Sequence, residues 1–125
     1  MNIYGASGHG KVIIDIIKSN LLKIDFVIDD NPAITKLAEY RVFHEMTPEM
    51  EQYSTVIAIG NNKIRKKISK KINADFSEAL VHSSAQVSES VSINQGTVVM
   101  ANAVVNAAAN LGKHCIVNTG AIIEH

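Results

Sequence analysis

From Val81 onward an aliphatic residue returns at every sixth position: Val81, Val87, Ile93, Val99, Val105, Leu111, Val117 and Ile123. A helix with 3.6 residues per turn would carry such a period around its circumference, and a flat strand would not sustain it this long without turn signals. A stack of short parallel strands satisfies it, because each strand points one residue at a shared axial core. A second register agrees: Ala85, Val91, Thr97, Ala103, Ala109, Cys115 and Ala121 stand four residues after the anchors and are small enough to tuck in beside them. The residues between are turn-tolerant Ser, Asn, Gly and Gln rather than charges. The expected fold of 81–125 is therefore a parallel β-helix. With three hexapeptides to a triangular coil, this stretch supplies about two and a half coils and stops in mid-repeat at Ile123-Glu124-His125. A repeat array normally ends in a cap, so the expectation is an incomplete β-helix, the front part of a longer protein.

Residues 1–80 follow another grammar. Asn2-Ile3-Tyr4 reads as a strand, and Gly5-Ala6-Ser7-Gly8-His9-Gly10 as a tight loop entering a helix with Val12, Ile13, Ile14, Ile16, Ile17 and Leu21. A second strand, Ile24–Ile28, ends at Asp29-Asp30-Asn31-Pro32, where proline stops it. A third, Thr55–Ile59, has the near-continuous apolar run of a strand covered on both faces and ends at Gly60-Asn61-Asn62. Ile64, Ile68 and Ile72 then mark one face of an amphipathic helix. Strand, helix, strand, then strand and helix, is the order of a small α/β Rossmann-like sheet.

In such a sheet ligands sit at the carboxyl ends of the strands. Three polar elements converge there: the loop with Gly8, His9 and Gly10, the pair Asp29 and Asp30, and the turn Gly60-Asn61-Asn62. Glycines let the backbone approach a phosphate, and the first helical amides point at it with the positive end of the dipole. An acidic residue closing the second strand can accept hydrogen bonds from ribose or sugar hydroxyls. A nucleotide or nucleotide-sugar is the natural ligand. Magnesium-dependent ATP chemistry does not fit, since Gly10-Lys11 is followed by Val12 where Ser or Thr would hold the metal. The glycine spacing G-x-x-G-x-G also departs from the G-x-G-x-x-G dinucleotide fingerprint, which disfavours a redox dinucleotide such as NAD.

Composition narrows the remaining classes. Basic and acidic residues balance at 12 each, so no global field points to nucleic acid or anionic lipid. The lack of tryptophan argues against base-stacking surfaces. Cys115 has no partner for a disulfide and falls at a small inward position, where a buried inert thiol is expected. No metal site is expected. No secretory leader and no apolar stretch of membrane-spanning length is read, so the expected location is the cytoplasm. Of the cationic run Lys63, Arg65, Lys66, Lys67, Lys70 and Lys71, only Arg65 is carried into a site; the rest read as a solvated helix face. His82 and His114 read as surface residues at coil edges and His44 as a loop residue.

Taken together, Tyr4-Gly-Ala-Ser-Gly-His-Gly10, Asp29-Asp30, Ala58-Ile-Gly-Asn-Asn-Lys-Ile-Arg-Lys-Lys67 and the hexapeptides ending Asn118-Thr-Gly-Ala-Ile-Ile-Glu-His125 resemble the bacterial hexapeptide-repeat sugar acetyltransferases. That family joins a Rossmann-like domain to a left-handed β-helix and contains UDP-4-amino-sugar N-acetyltransferases and sialic acid O-acetyltransferases; the bacillosamine branch, which serves protein glycosylation, is the nearer one. The resemblance implies domains at 1–80 and 81–125. It implies a nucleotide-sugar held by Gly8, His9, Gly10, Asp29, Asp30, Gly60, Asn61, Asn62 and Arg65. Acetyl-CoA would lie along the β-helix between subunits of a homotrimer. His125 would be the general base, Asn118 would lie near the acetyl group, and His9 would approach the acceptor from the other domain. An imidazole, with a reference pKa of about 6.5, takes a proton readily near neutral pH. Family members follow this histidine with an acidic residue and further coils, so a chain ending at His125 is expected to be inactive. A non-catalytic nucleotide-sugar-binding module remains an alternative at this point.

Overall fold

The computed structural model describes residues 1–125. A five-stranded sheet is built from β1 (Asn2–Tyr4), β2 (Phe26–Ile28), β3 (Lys36–Leu37), β4 (Tyr40–Phe43) and β5 (Thr55–Ile57), in the order β3-β4-β2-β1-β5. β1 lies centrally and pairs in parallel with β2 and β5; β4 is parallel to β2, and only β3 runs antiparallel, against β4. All three residues of β1 and of β5, the latter at the sheet edge, are buried, as parallel strands covered on both faces require. Even Asn2 is fully buried, and its amide donates to the carbonyl of Met50 at 2.7 Å.

Helix α1 (Gly8–Ser19) follows β1 and buries Gly10, Ile13, Ile14, Ile16 and Ile17. The spacing of 3 and 4 gives one apolar stripe, which joins Ile3, Val27 and Val56 in the main core. Helix α2 (Asn62–Lys71) follows β5 and buries only Arg65 and Ile68. It starts cleanly because the Asn61 side-chain oxygen accepts from the Lys63 and Ile64 amides at 3.0 and 3.1 Å, satisfying two otherwise unpaired donors.

The strands read from sequence are there, shorter at their ends: β2 begins at Phe26 rather than Ile24, and β5 ends at Ile57 rather than Ile59. The β3–β4 hairpin was not expected. Its residues 36–43 alternate weakly, with only Leu37 and Val42 buried, because they form the edge of the sheet.

The hexapeptide stretch forms eight two-residue strands: β6 (Leu80–Val81), β7 (Gln86–Val87), β8 (Ser92–Ile93), β9 (Val98–Val99), β10 (Val104–Val105), β11 (Asn110–Leu111), β12 (Ile116–Val117) and β13 (Ile122–Ile123). They pair in parallel as β6-β9-β12, β7-β10-β13 and β8-β11, each step joining residues 18 apart, such as Val81 with Val99 and Val99 with Val117. Val99, Ala103, Val105, Ala109 and Val117 are buried together inside, with Val81, Val87, Ile93, Leu111 and Ile123 packed around them. The corners repeat as well: Gly96, Asn102, Ala108, His114 and Gly120 all take a positive φ, between 54° and 70°. Leu80, Val98 and Met100 face the other way and enter the α1 core, so the first short sheet is the one that seats against the α/β half.

Candidate functional site

The glycine loop is shaped by three different demands. Gly5 has φ +115°, and a Cβ there would lie 2.8 Å from the Ala58 carbonyl oxygen. A Cβ at Gly10 would lie 2.8 Å from the Gly5 carbonyl oxygen, so Gly10 is required by the packing of α1 on its own loop. Around Gly8 there is nothing within 4 Å of a Cβ position. Of the three glycines expected to meet a ligand, Gly10 is therefore explained inside the chain, whereas Gly8 and Gly60 open onto free space.

The other site residues fall into two clefts. The larger, a cavity of about 800 Å³, lies between the α/β half and the coil and is lined by His9, Gly60, Asn62, Arg65 and Asn118 from the expected set, with Lys66, Lys113, His114 and Cys115. The smaller, about 310 Å³, holds Asp29 and Asp30 with Tyr4, Gly5 and the apolar Ile59, Ile64 and Ile68. The two clefts meet different faces of α2, since Arg65 and Ser69 line one and Ile64 and Ile68 the other. Asn61 lines neither and serves as the α2 cap. His125 stands apart, exposed beyond β13 and outside both linings. Its neighbour Glu124 accepts a hydrogen bond from the Asn106 amide at 2.9 Å.

Asp29 and Asp30 divide their work. Asp29 accepts from the backbone N–H of Ala6 at 2.7 Å and of Asn31 at 2.9 Å, so its carboxylate ties the glycine loop to the end of β2. Asp30 is half exposed and is held by Lys71 at 2.8 Å and by the Tyr4 hydroxyl. Hydrogen bonds from Lys71 and Tyr4 hold its carboxyl below the usual range. Burial, reinforced by the hydrogen bond to Asp30, pushes the Tyr4 hydroxyl up, so it stays a donor. Lys71 stays on the solvated face read from sequence, its side chain 57% exposed, and pairs with Asp30 from there.

In the larger cavity Arg65 is 7% exposed and reaches across the junction. It donates from Nε to the His114 carbonyl at 2.9 Å, from Nη1 to the Ile59 and Gly60 carbonyls at 2.9 and 3.0 Å, and from Nη2 to Asn62 Oδ1 at 2.6 Å. His9 Nε2 is buried without a protein partner. Burial, with the nearby Arg65 charge, holds its imidazole below the ordinary value of 6.5. His114 behaves alike, from burial first and then from Arg65 and Lys113.

Two expectations are corrected here. His114 is no free surface residue: it is half-buried, its ring meets Phe76 edge-on at 4.5 Å between centroids, and it lines the cavity. The hexapeptide pattern alone could not reveal this, because the cover comes from Phe76 and α2 in the other half. Cys115 is not sealed in the coil core but half-buried on the cavity wall, where that cover leaves a gap. No three His, Cys, Asp or Glu side chains are grouped as a metal set, and no helix is long and apolar enough to cross a membrane.

With this geometry in place, residues 1–72 match the family model of the PglD N-terminal domain. The chain belongs to the PglD N-terminal domain family. The chain is also 35% identical to the UDP-N-acetylbacillosamine N-acetyltransferase of Bacillus subtilis (strain 168), over 79% of the chain and 50% of that relative. Among solved structures it superposes on PerB from Caulobacter crescentus, in complex with CoA and GDP-perosamine, with a TM-score of 0.86 and 29% identity over 99% of this chain and 62% of that one. The acetyltransferase domain of PglB from Neisseria gonorrhoeae FA1090, in complex with acetyl coenzyme A, superposes with a TM-score of 0.84 and 31% identity over 99% of this chain and 63% of that one. The chain spans half the length of the curated relative and under two thirds of each of these two structures. The likeness to PerB and PglB runs through both the sheet and the short-strand stack, so it covers both halves that wall the cavity.

Proposed function

We propose that the protein transfers an acetyl group from acetyl-CoA to the amine of a UDP-linked 4-amino sugar of the bacillosamine type. The observation that carries this reading is the convergence of His9, from the glycine-loop half, and Asn118, from the coil, on one cavity beside Gly8. In this reading 1–80 is the nucleotide-sugar domain and 81–125 the beginning of a left-handed β-helix. The base and ribose occupy the Asp29–Asp30 cleft, whose floor is apolar and whose exposed carboxylate is Asp30, already paired with Lys71 and Tyr4. The diphosphate passes over Gly8 at the start of α1, where amides and the helix dipole favour negative charge. The amino sugar enters the larger cavity toward His9 and Asn118.

The reaction is a direct displacement. The amine nitrogen attacks the thioester carbonyl, His125 takes the amine proton, and the C–S bond breaks to expel coenzyme A thiolate, which receives that proton and leaves as the thiol. No enzyme nucleophile is needed. Because His125 lies outside the cavity of its own chain, we place the complete site between subunits of a homotrimer, with acetyl-CoA along the coil. The three coil faces support such packing. Leu80, Val98 and Ile116 are taken up by the α/β half, and the Ser92 and Asn110 face is polar and exposed. The face with Gln86, Val104 and Ile122 leaves Ile122 63% exposed, an apolar surface suited to a second copy. Both proposed co-substrates are water-soluble small molecules, which supports a cytoplasmic reaction.

Isothermal calorimetry with UDP and with coenzyme A tests the reading. UDP is expected to bind and Asp30→Ala to weaken it; a protein that binds neither UDP nor coenzyme A contradicts the proposal. A GDP-linked amino sugar is the second reading, favoured by the superposition on the GDP-perosamine complex, and GDP binding in preference to UDP would select it.

A further inference from the structure

Sequence reading makes Arg65 a contact for the nucleotide-sugar, and its geometry points elsewhere. It lies on a helix whose other basic residues are exposed or nearly so, yet it is buried. A guanidinium carries five N–H donors in a rigid planar fork. Four of them are engaged by acceptors of the chain itself: the carbonyls of Ile59, Gly60 and His114 and the side chain of Asn62. All four acceptors are uncharged, so the fork is used for its shape and reach. They also come from three separate places: the loop after β5, the first turn of α2, and a corner of the coil. The coil corner is His114, which holds a left-handed φ of 54°, a conformation that non-glycine residues keep only when their surroundings fix it. His114 and His9 line the same cavity as Arg65, and no other hydrogen-bonded side chain joins the Gly60 loop to that corner.

We propose that Arg65 is a positioning residue: it fastens the coil corner at His114 to the Gly60 loop and so sets the cavity's width, without itself touching the ligand. The proposal rests on the reading that this cavity takes the nucleotide-linked sugar. Lysine cannot take over, because a single ammonium on a flexible stem does not span acceptors on three elements.

The test combines imidazole NMR of the unliganded protein with calorimetric titration of a UDP-linked 4-amino sugar, whose sugar enters the larger cavity, in the parent and in Arg65→Met, Arg65→Lys and Lys66→Met. Arg65→Met is expected to shift the His9 and His114 imidazole signals and to weaken the UDP-sugar about tenfold or more, as a displaced site wall does. Arg65→Lys is expected to stay close to Arg65→Met. Lys66→Met, which alters the cavity lining but not the clasp, is expected to leave both imidazole signals in place. Weakened UDP-sugar binding with unmoved imidazole signals would make Arg65 a ligand contact and overturn the proposal, as would unchanged affinity. So would equal imidazole shifts in Lys66→Met. Should Arg65→Met not fold, Asn62→Ala removes one acceptor and keeps the arginine; smaller shifts of both imidazoles support the clasp, and none overturns it. If the parent itself does not bind the UDP-sugar, the functional reading fails, and the imidazole signals alone still decide the clasp.

Discussion

Replacing Gly96 by alanine tests the coil's packing at the corner that lies against the His114 imidazole. Gly96 has φ +70°, and a Cβ there would stand 2.2 Å from His114 Nδ1 and 2.5 Å from its Cε1. Two costs follow. The left-handed backbone costs an L-residue about 1–2 kcal/mol. The imidazole must also swing away, giving up its edge-on contact with Phe76, worth about 0.5–1.5 kcal/mol. Together they predict a loss of about 1.5–3.5 kcal/mol. Gly120 supplies the comparator: its φ is +68°, and nothing lies within 4 Å of a Cβ built on it. Gly120→Ala should therefore show the backbone cost alone. Urea unfolding of the two variants, and of each in a His114→Ala background, isolates the ring. The difference between Gly96→Ala and Gly120→Ala should be present with His114 and vanish without it. If Gly96→Ala costs no more than Gly120→Ala in the parent, the assigned clash is wrong.

Other outcomes follow from the same geometry. Ala108 holds φ 62° at an equivalent corner, so Ala108→Gly should relieve the left-handed cost, less glycine's chain entropy, and raise stability by about 0.5–1 kcal/mol in urea unfolding; a loss would contradict the corner assignment. Asn61→Ala removes the cap of α2 and should cost about 1 kcal/mol, with faster amide exchange at Lys63 and Ile64 as its local signature. His9 and His114 are both held below the ordinary value of 6.5 by burial and by Arg65. The unfolded chain therefore takes up protons first as pH falls. The stability tied to their neutral forms is complete above 6.5 and declines from there toward their lower folded-state values. The urea midpoint should drop between pH 7.5 and 5.5, and a His9→Gln/His114→Gln variant should drop less; equal slopes would refute the attribution.

What could be read in the residues, and what could not, divides along the distance over which each feature is determined. The aliphatic anchors from Val81 to Ile123 are local and periodic, and they meet inside the stack as the pattern requires. The strands around Ile3, Val27 and Val56 announce themselves because a strand buried on both faces must be apolar throughout. The edge hairpin 36–43 gives no such signal, since only Leu37 and Val42 are buried. The glycine segment read as a loop is one only as far as Ser7, since Gly8, His9 and Gly10 form the first turn of α1; its three glycines look alike in sequence, and only the Gly5 and Ala58 carbonyls tell which of them is free to meet a ligand. Asp29 and Asp30 were found as a pair, while their separate tasks depend on Ala6, Tyr4 and Lys71, which come from other elements. His114 and Cys115 acquire their places from Phe76 and α2, packed across the junction from far along the chain. A six-residue period contains no information about what covers it.

The central claim is acetyl transfer to a nucleotide-linked amino sugar, and coenzyme A release measures it directly. With acetyl-CoA and a UDP-linked 4-amino sugar, the full-length protein should release the thiol, and His125→Ala should reduce the rate by about 10² to 10⁴-fold, the usual contribution of a general base, while UDP affinity is retained. Thiol release that is unaffected by His125→Ala, or an absence of release from a full-length protein that binds both co-substrates, would contradict the account.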